Sequence, residues 1–262
     1  MPDVTTNRTK QWQRFWEEKA DESVSDFEYD RGRSPRAEEL ENLSNKELLS
    51  FIDPRPGDVV FDAGCGTGVN ILLLHSKVAR IVGMDYNTGA VERTRRRVAS
   101  AQIANVEVLH GSITTTPLPD GAVDKVLCMS VLQYLDDEGV RAAFREFHRI
   151  LKPGGAVILH VKNIASLYLS TLWLMKKGKA LLGRPARLEY YRTYRWYMNE
   201  LQALGLTVTN FNSFNLLVID RMPVGLLQRV QKFELSNYKG WLLSRAFVRR
   251  HGADLKVRAE LV

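Results

Sequence analysis

One stretch of ten residues constrains the fold more than any other, because an apolar run ends in an acid and three glycines follow at every second position. It extends from Val59 to Gly68 and reads V-V-F-D-A-G-C-G-T-G. A buried strand, a tight turn and the start of a helix, in this order, form a cradle for a nucleotide. Glycine lets such a turn adopt positive φ angles and lets a ligand approach the backbone. The stretch therefore predicts a nucleotide-binding turn, although a glycine-rich turn without a ligand has the same pattern.

The spacing of the glycines separates two kinds of nucleotide site. A dinucleotide fingerprint, G-x-G-x-x-G, that starts at Gly64 needs its third glycine at position 69, where this chain has Val69. The third glycine is instead Gly68, and Asp62 stands two positions before the first. This D-x-G-x-G-x-G form resembles motif I of the class I S-adenosylmethionine-dependent methyltransferases.

Two further runs resemble the same family. The stretch before the family's fourth strand is similar to residues 117–124, which read P-L-P-D-G-A-V-D. The stretch before its fifth strand is similar to residues 147–155, which read F-H-R-I-L-K-P-G-G. Strands that alternate with helices independently predict a largely parallel sheet. The resemblance implies an α/β fold, a Rossmann-like three-layer sandwich with a seven-stranded, mostly parallel sheet and helical cap insertions. It also implies a sixth strand at 205–209 and an antiparallel seventh at 254–260.

The resemblance implies S-adenosylmethionine as the cofactor and S-adenosylhomocysteine as the product. Asp85 ends the second apolar run, where a carboxylate can accept both ribose hydroxyls, although a helix cap is an alternative role. Many family members have an acid after strand three, whereas this chain has Ser112, a weaker acceptor, so the backbone of Ile113 is a second candidate for adenine recognition. The predicted cofactor-binding residues are Asp62, Gly64, Cys65, Gly66, Gly68, Asp85, Tyr86, Ser112, Ile113, Met129 and Ser130.

Charge is unevenly distributed along the chain. Residues 1–162 hold 21 Lys and Arg against 24 Asp and Glu, whereas residues 163–262 hold 16 against 6, so the net charge of +7 comes from the C-terminal part. Such a field favours an acidic or phosphate-bearing acceptor or an anionic surface, although a merely soluble basic face has the same composition.

Several features bear on where the protein works. The first residues lack the apolar core of a signal peptide, and no uncharged apolar run reaches about 18 residues, so a cytoplasmic protein is expected. Two cysteines, Cys65 and Cys128, suit a reducing compartment, and the five scattered histidines predict no metal cluster.

The segments outside the shared core are expected to select the acceptor. Within a core domain at 51–262, insertions at 163–194 and 215–250 are predicted to cap the acceptor site. The apolar part of the first insertion either lines the pocket or contacts a membrane surface peripherally. Residues 1–50 are predicted as a helical lid, and a helix packed on the sheet is the alternative. The predicted acceptor-binding residues are Tyr29, Tyr190, Tyr191, Arg192 and Tyr194.

His160 is the candidate general base, because it ends the fifth predicted strand, at the crevice where open α/β sheets bind ligands. A strand-end histidine with a purely structural role is the alternative. The function predicted is O-methylation of a small-molecule, glycan or lipid-linked acceptor, in natural-product, lipid or glycan biosynthesis. A nicotinamide-dependent oxidoreductase and a non-catalytic nucleoside-binding module are the competing hypotheses. Nucleic acid is disfavoured, because the Asn-Pro-Pro-aromatic motif is missing after strand four and the chain has no Pro-Cys dipeptide. The oligomeric state is left open.

Overall fold

A computed structural model describes residues 7–22, 38–182, 189–214, 225–226, 229–230, 232–233 and 251–262. They contain a seven-stranded sheet with the strand order β3-β2-β1-β4-β5-β7-β6. The first five strands are parallel, and β7 runs antiparallel to both β5 and β6. The predicted α/β fold is therefore confirmed. The strands are β1 (Val59–Ala63), β2 (Arg80–Asp85), β3 (Val106–His110), β4 (Val123–Met129), β5 (Leu151–Lys162), β6 (Leu206–Phe214) and β7 (Asp254–Leu261).

Helices connect the strands and cover both faces of the sheet. Short polar side chains set where several of them begin, as at Asn87 and Asp136, which accept from the backbone N–H groups of Ala90 and Gly139. Turns of 3-10 helix follow α3 at His75–Lys77 and β4 at Leu132–Tyr134. The α-helices are α1 (Asn7–Glu22), α2 (Glu38–Ile52), α3 (Val69–Leu74), α4 (Thr88–Ser100), α5 (Asp137–Ile150), α6 (Leu167–Leu181) and α7 (Tyr194–Ala203).

The sheet is buried on both faces. Phe61 and Ala63 of β1 pack in the cluster that also contains buried residues of α5 and α7. Val60, which points the opposite way, packs with residues of α2, α3 and α4. Because alternate residues of one strand enter two different cores, the central strands read as continuous apolar runs. The result is the three-layer sandwich that the resemblance implied.

β5 begins earlier than the sequence pattern predicts. The Lys-Pro-Gly-Gly run was expected to separate helix from strand, with the strand starting at Ala156. Instead Leu151 already pairs with Val123, and the next pair joins Ala156 to Lys125. Residues 152–155 therefore form a bulge opposite a single residue of β4. Proline without an N–H and a glycine with a φ of 74° at position 154 make this bulge favourable.

Parts of the predicted cap lie outside the described residues. They include most of the second insertion, 215–250, and the lid candidate Tyr29. The first insertion is visible as α6, a 15-residue helix. In the part of the chain that the structure describes, no helix is both long enough and apolar enough to cross a bilayer.

Candidate functional site

The loop between β1 and α3 depends on glycine for its backbone conformation and for its packing. Gly64 and Gly68 have φ angles of 79° and 84°. A Cβ atom on Gly64 would lie 2.3 Å from Cγ2 of Val131, the second residue after β4. A Cβ atom on Gly68 would lie 2.8 Å from Cγ2 of Thr94 on α4. The loop is therefore pressed against two neighbouring elements, and a side chain at either position would push it away from them.

Asp85 ties this loop to the end of β2. Its Oδ2 atom accepts the backbone N–H of Gly66 at 2.8 Å, and its Oδ1 atom accepts the N–H of Asn87 at 2.9 Å. Burial raises the pKa of the Asp85 carboxyl, and these backbone N–H groups oppose the rise. The residue that caps α4 is Asn87. Each carboxylate oxygen of Asp85 keeps a second lone pair, so it can also accept a hydrogen bond from a hydroxyl group of a ligand.

Asp62 is the clearest sign of a ligand on this side of the site. Its side chain is 1% exposed, and its Oδ1 atom lies 3.4 Å from the side-chain amide of Asn70. Its Oδ2 atom has no hydrogen-bond partner within the described residues. Burial raises the pKa of Asp62 to about 7. Because a buried acceptor without a donor is costly, this atom indicates that a ligand supplies the donor.

The remaining predicted residues at the ends of β2 and β3 differ in accessibility. Tyr86 is 44% exposed, and its carbonyl oxygen lies 2.9 Å from Nε2 of His110. The hydroxyl of Ser112 lies 2.8 Å from that of Thr114 and also accepts the N–H of Thr114. Ile113 is buried in the apolar core. Ser112 is thus engaged within its own turn, which favours the backbone of Ile113 for the predicted adenine contact.

Cys65 and Met129 complete the predicted cofactor set. Cys65 is buried in the core beneath α3, and burial raises the pKa of its thiol well above the usual value. Both Cys65 and Cys128 are free thiols. Met129 ends β4 and pairs with His160 of β5. Cys65 follows β1 and Met129 ends β4, so both stand at the carboxyl ends of parallel strands, where open α/β sheets bind ligands.

Ser130 and His160 come together where β4 and β5 end. The Oγ atom of Ser130 lies 2.7 Å from Nδ1 of His160, and the backbone N–H of Ser130 donates to the His160 carbonyl at 2.9 Å. Ser130 has a φ of 61°, which is unusual for a residue with a side chain. Gln133 supports this conformation by donating to the Ser130 carbonyl at 2.7 Å. Backbone strain of this kind concentrates at functional sites.

Asp254 joins this pair, and sequence reasoning missed it. Its Oδ1 atom lies 3.1 Å from Nε2 of His160, and Lys162 also donates to the same carboxylate. Burial alone would raise the pKa of Asp254, but Lys162 and His160 hold it well below the usual range. Burial lowers the pKa of His160, while its hydrogen bond to Asp254 acts in the opposite direction. The only sequence signal was an acid at the start of a predicted strand, without the register that places it beside His160.

A second buried ion pair attaches α2 to β7. Glu47 is 1% exposed and accepts from Lys256, which lies beside His160 across the β5–β7 pair. Burial raises the pKa of Glu47, and Lys256 opposes the rise. Arg258 donates to the last two backbone carbonyls of α2, at 3.0 and 2.9 Å. α2 is therefore part of the layer that covers the sheet.

α1 crosses the edge of the sheet where the strands end. The rings of Trp12 and Trp16 pack against the ring of Tyr134 at steep angles, with centroids 4.8 and 5.6 Å away. Trp16 also packs against Ala90 at the start of α4. Burial raises the pKa of Tyr134 to about 12. Because Ala90 follows β2 and Tyr134 follows β4, α1 extends from one side of the crevice to the other. Of the predicted lid, 1–50, this helix is the part that stands over the strand ends.

The predicted acceptor-binding residues have different surroundings. Arg192 is buried, and its guanidinium donates to the carboxylate of Asp137 at 2.8 Å and to the carbonyl of Leu135 at 2.8 Å. These bonds support the turn after β4, and a contact between Arg192 and the acceptor stays a prediction. Tyr194 packs on Phe211 of β6, with ring centroids 4.8 Å apart.

Of the other two tyrosines, Tyr190 is bonded to the turn that follows β4. The backbone N–H of Tyr190 donates to the carbonyl of Gln133 at 2.8 Å, and the side chain of Tyr191, like that of Tyr190, is half-buried. Because Gln133 supports Ser130, these tyrosines remain the candidates for acceptor binding.

Comparison with known proteins shows which domain and which proteins this chain resembles. Residues 60–155 match the model of a methyltransferase domain. The malonyl-[acyl-carrier protein] O-methyltransferase of Serratia marcescens is 30% identical over 157 residues, which are 60% of this chain and 59% of that protein. The demethylmenaquinone methyltransferase of Listeria monocytogenes serotype 4a is 29% identical over 130 residues, which are 48% of this chain and 54% of that protein. The chain spans about a third to three fifths of the length of the first curated relatives it matches.

A solved structure shares the fold over nearly the full length. Geranyl diphosphate C-methyltransferase from Streptomyces coelicolor A3(2) aligns with 99% of this chain and 100% of its own, with a TM-score of 0.66 at 18% identity. At this identity the likeness concerns the fold. The domain match identifies residues 60–155 as a methyltransferase domain, and the sheet order and the shared fold agree with the S-adenosylmethionine-dependent class that the sequence resembles.

Proposed function

We propose that this protein transfers a methyl group from S-adenosylmethionine to an oxygen atom of a small-molecule, glycan or lipid-linked acceptor that bears an acidic or phosphate group. The single observation that carries the donor half is the buried Oδ2 atom of Asp62, which lacks a hydrogen-bond donor within the described residues. The ammonium group of the donor's methionine part is a donor of the required kind. When bound, S-adenosylmethionine supplies a methyl group on a positively charged sulfur.

The residues of the loop fit the rest of that molecule. Asp85 stands at the end of β2, where its carboxylate can accept the ribose hydroxyls. Gly64 keeps the loop close to Val131, so a ligand can lie directly on the backbone. These roles for Asp85 and the glycine loop, and those of Tyr86, Ser112, Ile113 and Met129 as neighbours of the nucleoside, are part of the proposal.

Three observations support an oxygen acceptor with an anionic group. His160 and Ser130 meet at the strand ends and can take up a proton, which an alcohol or phenol must lose. The basic C-terminal part of the chain favours an anion. Among the similar proteins, one is named for O-methylation of malonyl-[acyl-carrier protein], and a second, named for C-methylation of geranyl diphosphate, supports only the anionic group.

The donor is tested by calorimetric titration of the full chain with S-adenosylmethionine and, separately, with NAD. We expect binding of the first and none of the second, and we expect Asp85→Ala to abolish the heat of binding. Binding of NAD alone would favour the nicotinamide-dependent oxidoreductase. Failure of S-adenosylmethionine to bind, with no effect of Asp85→Ala, would refute the proposed donor site.

The acceptor is tested by release of S-adenosylhomocysteine in the presence of four probes: a malonyl thioester, a demethylmenaquinone analogue, geranyl diphosphate and a phenol that carries a carboxylate group. We expect turnover with an anionic probe that offers an oxygen nucleophile. Methylation at carbon or nitrogen would contradict the O-methylation part of the proposal. Donor binding without turnover on any probe would favour the non-catalytic nucleoside-binding module.

We also propose that the protein works in the cytoplasm and that α6 contacts an anionic membrane surface. The exposed apolar side chains are Leu174, Met175 and Leu181 of α6 and Leu182 directly after it, which are between 56% and 80% exposed and recur at intervals of seven residues. Lys177 stands over the ring of Trp173 on the same helix, where it can meet lipid phosphates. Flotation with anionic vesicles should recover the protein, and Leu174→Ser with Leu181→Ser should reduce recovery. Equal recovery of both proteins would contradict the contact.

A further inference from the structure

We propose that Ser130, His160 and Asp254 form a proton relay in which Ser130 touches the acceptor, His160 receives the proton and Asp254 positions His160. The three side chains come from the ends of β4, β5 and β7. The relay deepens the proposed oxygen methylation and rests on it, because an acceptor that loses a proton during methyl transfer needs a group that takes the proton away.

The hydrogen bonds determine which nitrogen of His160 carries the proton. Ionised Asp254 can only accept, so Nε2 of His160, 3.1 Å from Oδ1, must be the donor of that bond. A neutral imidazole then has its acceptor lone pair on Nδ1, which lies 2.7 Å from Oγ of Ser130. The hydroxyl of Ser130 therefore donates to His160, and lone pairs of its oxygen remain for a hydrogen bond from the acceptor.

Both nitrogens of His160 are thus occupied by protein groups. A histidine in this arrangement cannot take a proton directly from the acceptor without breaking one of its two bonds. Ser130 can, because it follows β4 at the crevice, and its neighbour Val131 packs against Gly64 of the donor loop. This changes the role of His160 predicted from the sequence, from a base in direct contact to the destination of a proton that passes through Ser130.

The conformation of Ser130 is consistent with this role. A residue in an extended conformation would continue the direction of the strand, whereas the φ of 61° turns the chain sharply at Ser130. Two hydrogen bonds hold this turn: the N–H of Ser130 donates to the His160 carbonyl, and the side chain of Gln133 donates to the Ser130 carbonyl. The strained backbone is therefore fixed by the same residues that place the hydroxyl beside Nδ1.

The charged groups that face His160 come from β5, β7 and α2. Lys162 and Lys256 lower the pKa of His160, and Asp254 raises it, while burial lowers it most. Glu47 of α2 faces this group through its ion pair with Lys256. With a pKa below its ordinary value, His160 is neutral at neutral pH, which is the state that can accept a proton.

The proposed step balances in atoms and charge. The acceptor oxygen bonds to the methyl carbon as its own proton moves to Oγ of Ser130, and the hydroxyl proton of Ser130 moves to Nδ1 of His160. The carbon–sulfur bond breaks with its electron pair left on sulfur. The positive charge that was on sulfur is then on the imidazolium, where Asp254 stabilises it. No further reactant takes part.

The relay is tested first without donor or acceptor, by NMR of the full chain labelled with ¹⁵N in its five histidines. His160→Asn assigns the His160 signals by their loss. We expect the Nε2–H tautomer at neutral pH. We expect Ser130→Ala to keep this tautomer and to shift the Nδ1 resonance, because the bond to that atom is lost. His148→Asn, which changes a histidine of α5, serves as the matched control and should leave the His160 signals in place.

Two variants should move the pKa of His160 in opposite directions. Asp254→Asn should lower it and mix the two tautomers, and Lys162→Met should raise it. If Asp254→Asn does not fold, Ser130→Ala alone still decides the question. The relay is overturned if the wild-type protein has the Nδ1–H tautomer, or if Ser130→Ala leaves the Nδ1 resonance unchanged.

Kinetics then separate a relay from a merely structural contact. With a phenol that carries a carboxylate group as the acceptor, Ser130→Ala should lower kcat by roughly 100-fold with little change in the donor KM, because the phenol must lose its proton. Unchanged kcat would overturn the relay. A failure of the relay leaves donor binding by calorimetry intact, whereas a failure of the proposed function removes donor binding itself, so the two results are distinguishable.

Discussion

The proposed donor side and the proposed acceptor side of the site are built in different ways. On the donor side, Asp62, the glycine loop and Asp85 lie within one short segment of the chain, and backbone N–H groups hold them together. On the acceptor side, Ser130 and His160 are 30 residues apart, and His160 and Asp254 are 94 residues apart. Side chains that meet through the sheet register hold this second group. Local backbone geometry thus forms one half of the site, and tertiary structure forms the other.

This difference teaches what each half tolerates. A site made by backbone conformation is sensitive to any added atom, since glycine is required by both φ and packing. A site made by side chains tolerates changes of shape but not the loss of a charge or a hydrogen bond. Substitutions on each side should therefore fail for different physical reasons.

The largest effect is expected from Gly64→Ala. The added Cβ atom would lie 2.3 Å from Cγ2 of Val131, at a φ of 79°. We expect S-adenosylmethionine binding to weaken at least about 100-fold and the free energy of unfolding to fall by about 3 kcal/mol. Calorimetry and denaturant titration measure the two quantities.

Gly154→Ala is the matched control for this change. It has a similar φ of 74°, but nothing lies within 4 Å of the added atom. Gly154→Ala should lower the free energy of unfolding by only about 1 kcal/mol and leave donor binding unchanged. Addition of Val131→Ala to Gly64→Ala should recover part of the loss. Equal costs for the two glycine substitutions would show that the close packing at Gly64 is unimportant.

Asp62→Asn should stabilise the ligand-free protein while weakening donor binding. Burial raises the pKa of Asp62 to about 7, above the value of 3.8 for an unperturbed carboxyl. Between these two values the folded state binds more protons than the unfolded state, so the free energy of unfolding falls as pH rises through this window. The asparagine has no such proton. Relative to the wild-type protein, we expect the free energy of unfolding of Asp62→Asn to be higher by a few kcal/mol at about pH 8 and nearly equal at about pH 4.

Denaturant titrations of both proteins across this pH range provide the measurement. The two curves should converge at low pH and separate as pH rises. A wild-type protein that is relatively more stable at high pH would contradict the raised pKa of Asp62. Stabilisation without loss of donor affinity would contradict the role of this carboxylate as a ligand.

On the acceptor side, Arg192→Met should destabilise the protein by about 2–4 kcal/mol, because the carbonyls of Leu132 and Leu135 lose a buried donor. Arg141→Met is the matched control, since Arg141 pairs with Glu200 near the surface and its side chain is 40% exposed. This change should leave the free energy of unfolding nearly unchanged, because an exposed ion pair contributes little. Thermal or denaturant unfolding distinguishes the two, and equal costs would remove the structural role of Arg192.

The smallest of these effects is expected from Trp12→Ala in α1, which extends across both sides. The ring of Trp12 packs on Tyr134, but Trp12 is part of neither the loop that joins Asp62 to Asp85 nor the group of Ser130, His160 and Asp254. Hydrogen exchange should become at least about tenfold faster in α1, which corresponds to about 1.4 kcal/mol, while β1 keeps its protection. Arg14→Ala, an exposed change on the same helix, should alter neither. Equal acceleration in β1 would show that α1 is a part of the core rather than a cover.

The same division explains what could be predicted from the sequence. The largely parallel sheet, and the position of Asp85 at the end of β2, followed from local patterns, because apolar runs and glycine spacing depend directly on backbone geometry. The number of seven strands and the antiparallel β7 were implied by the family resemblance. The early start of β5 at Leu151 was missed, since a proline-glycine run predicts a break in the chain whether or not the strand pairs before it. Asp254 was missed because the antiparallel register that brings it to His160 has no local signal.

Arg192 illustrates a second reason. Arginines among tyrosines are typical of a surface that binds anions, and the segment was predicted to contact the acceptor. Nothing in that composition reveals that the turn after β4 leaves carbonyl groups for a buried guanidinium to satisfy. Sequence patterns report which groups a side chain could bind, whereas the fold decides which of them are near.

One comparison of affinities tests this division of the site most directly: calorimetric titration of S-adenosylmethionine into the wild-type chain, Asp85→Ala and Asp254→Asn. We predict that Asp85→Ala weakens binding at least about 100-fold, because the ribose loses a charged acceptor. We predict that Asp254→Asn changes the affinity by no more than about twofold, because Asp254 acts on the acceptor side. An equal loss in both variants, or no binding to the wild-type chain, would contradict a donor site built locally from β1 and β2.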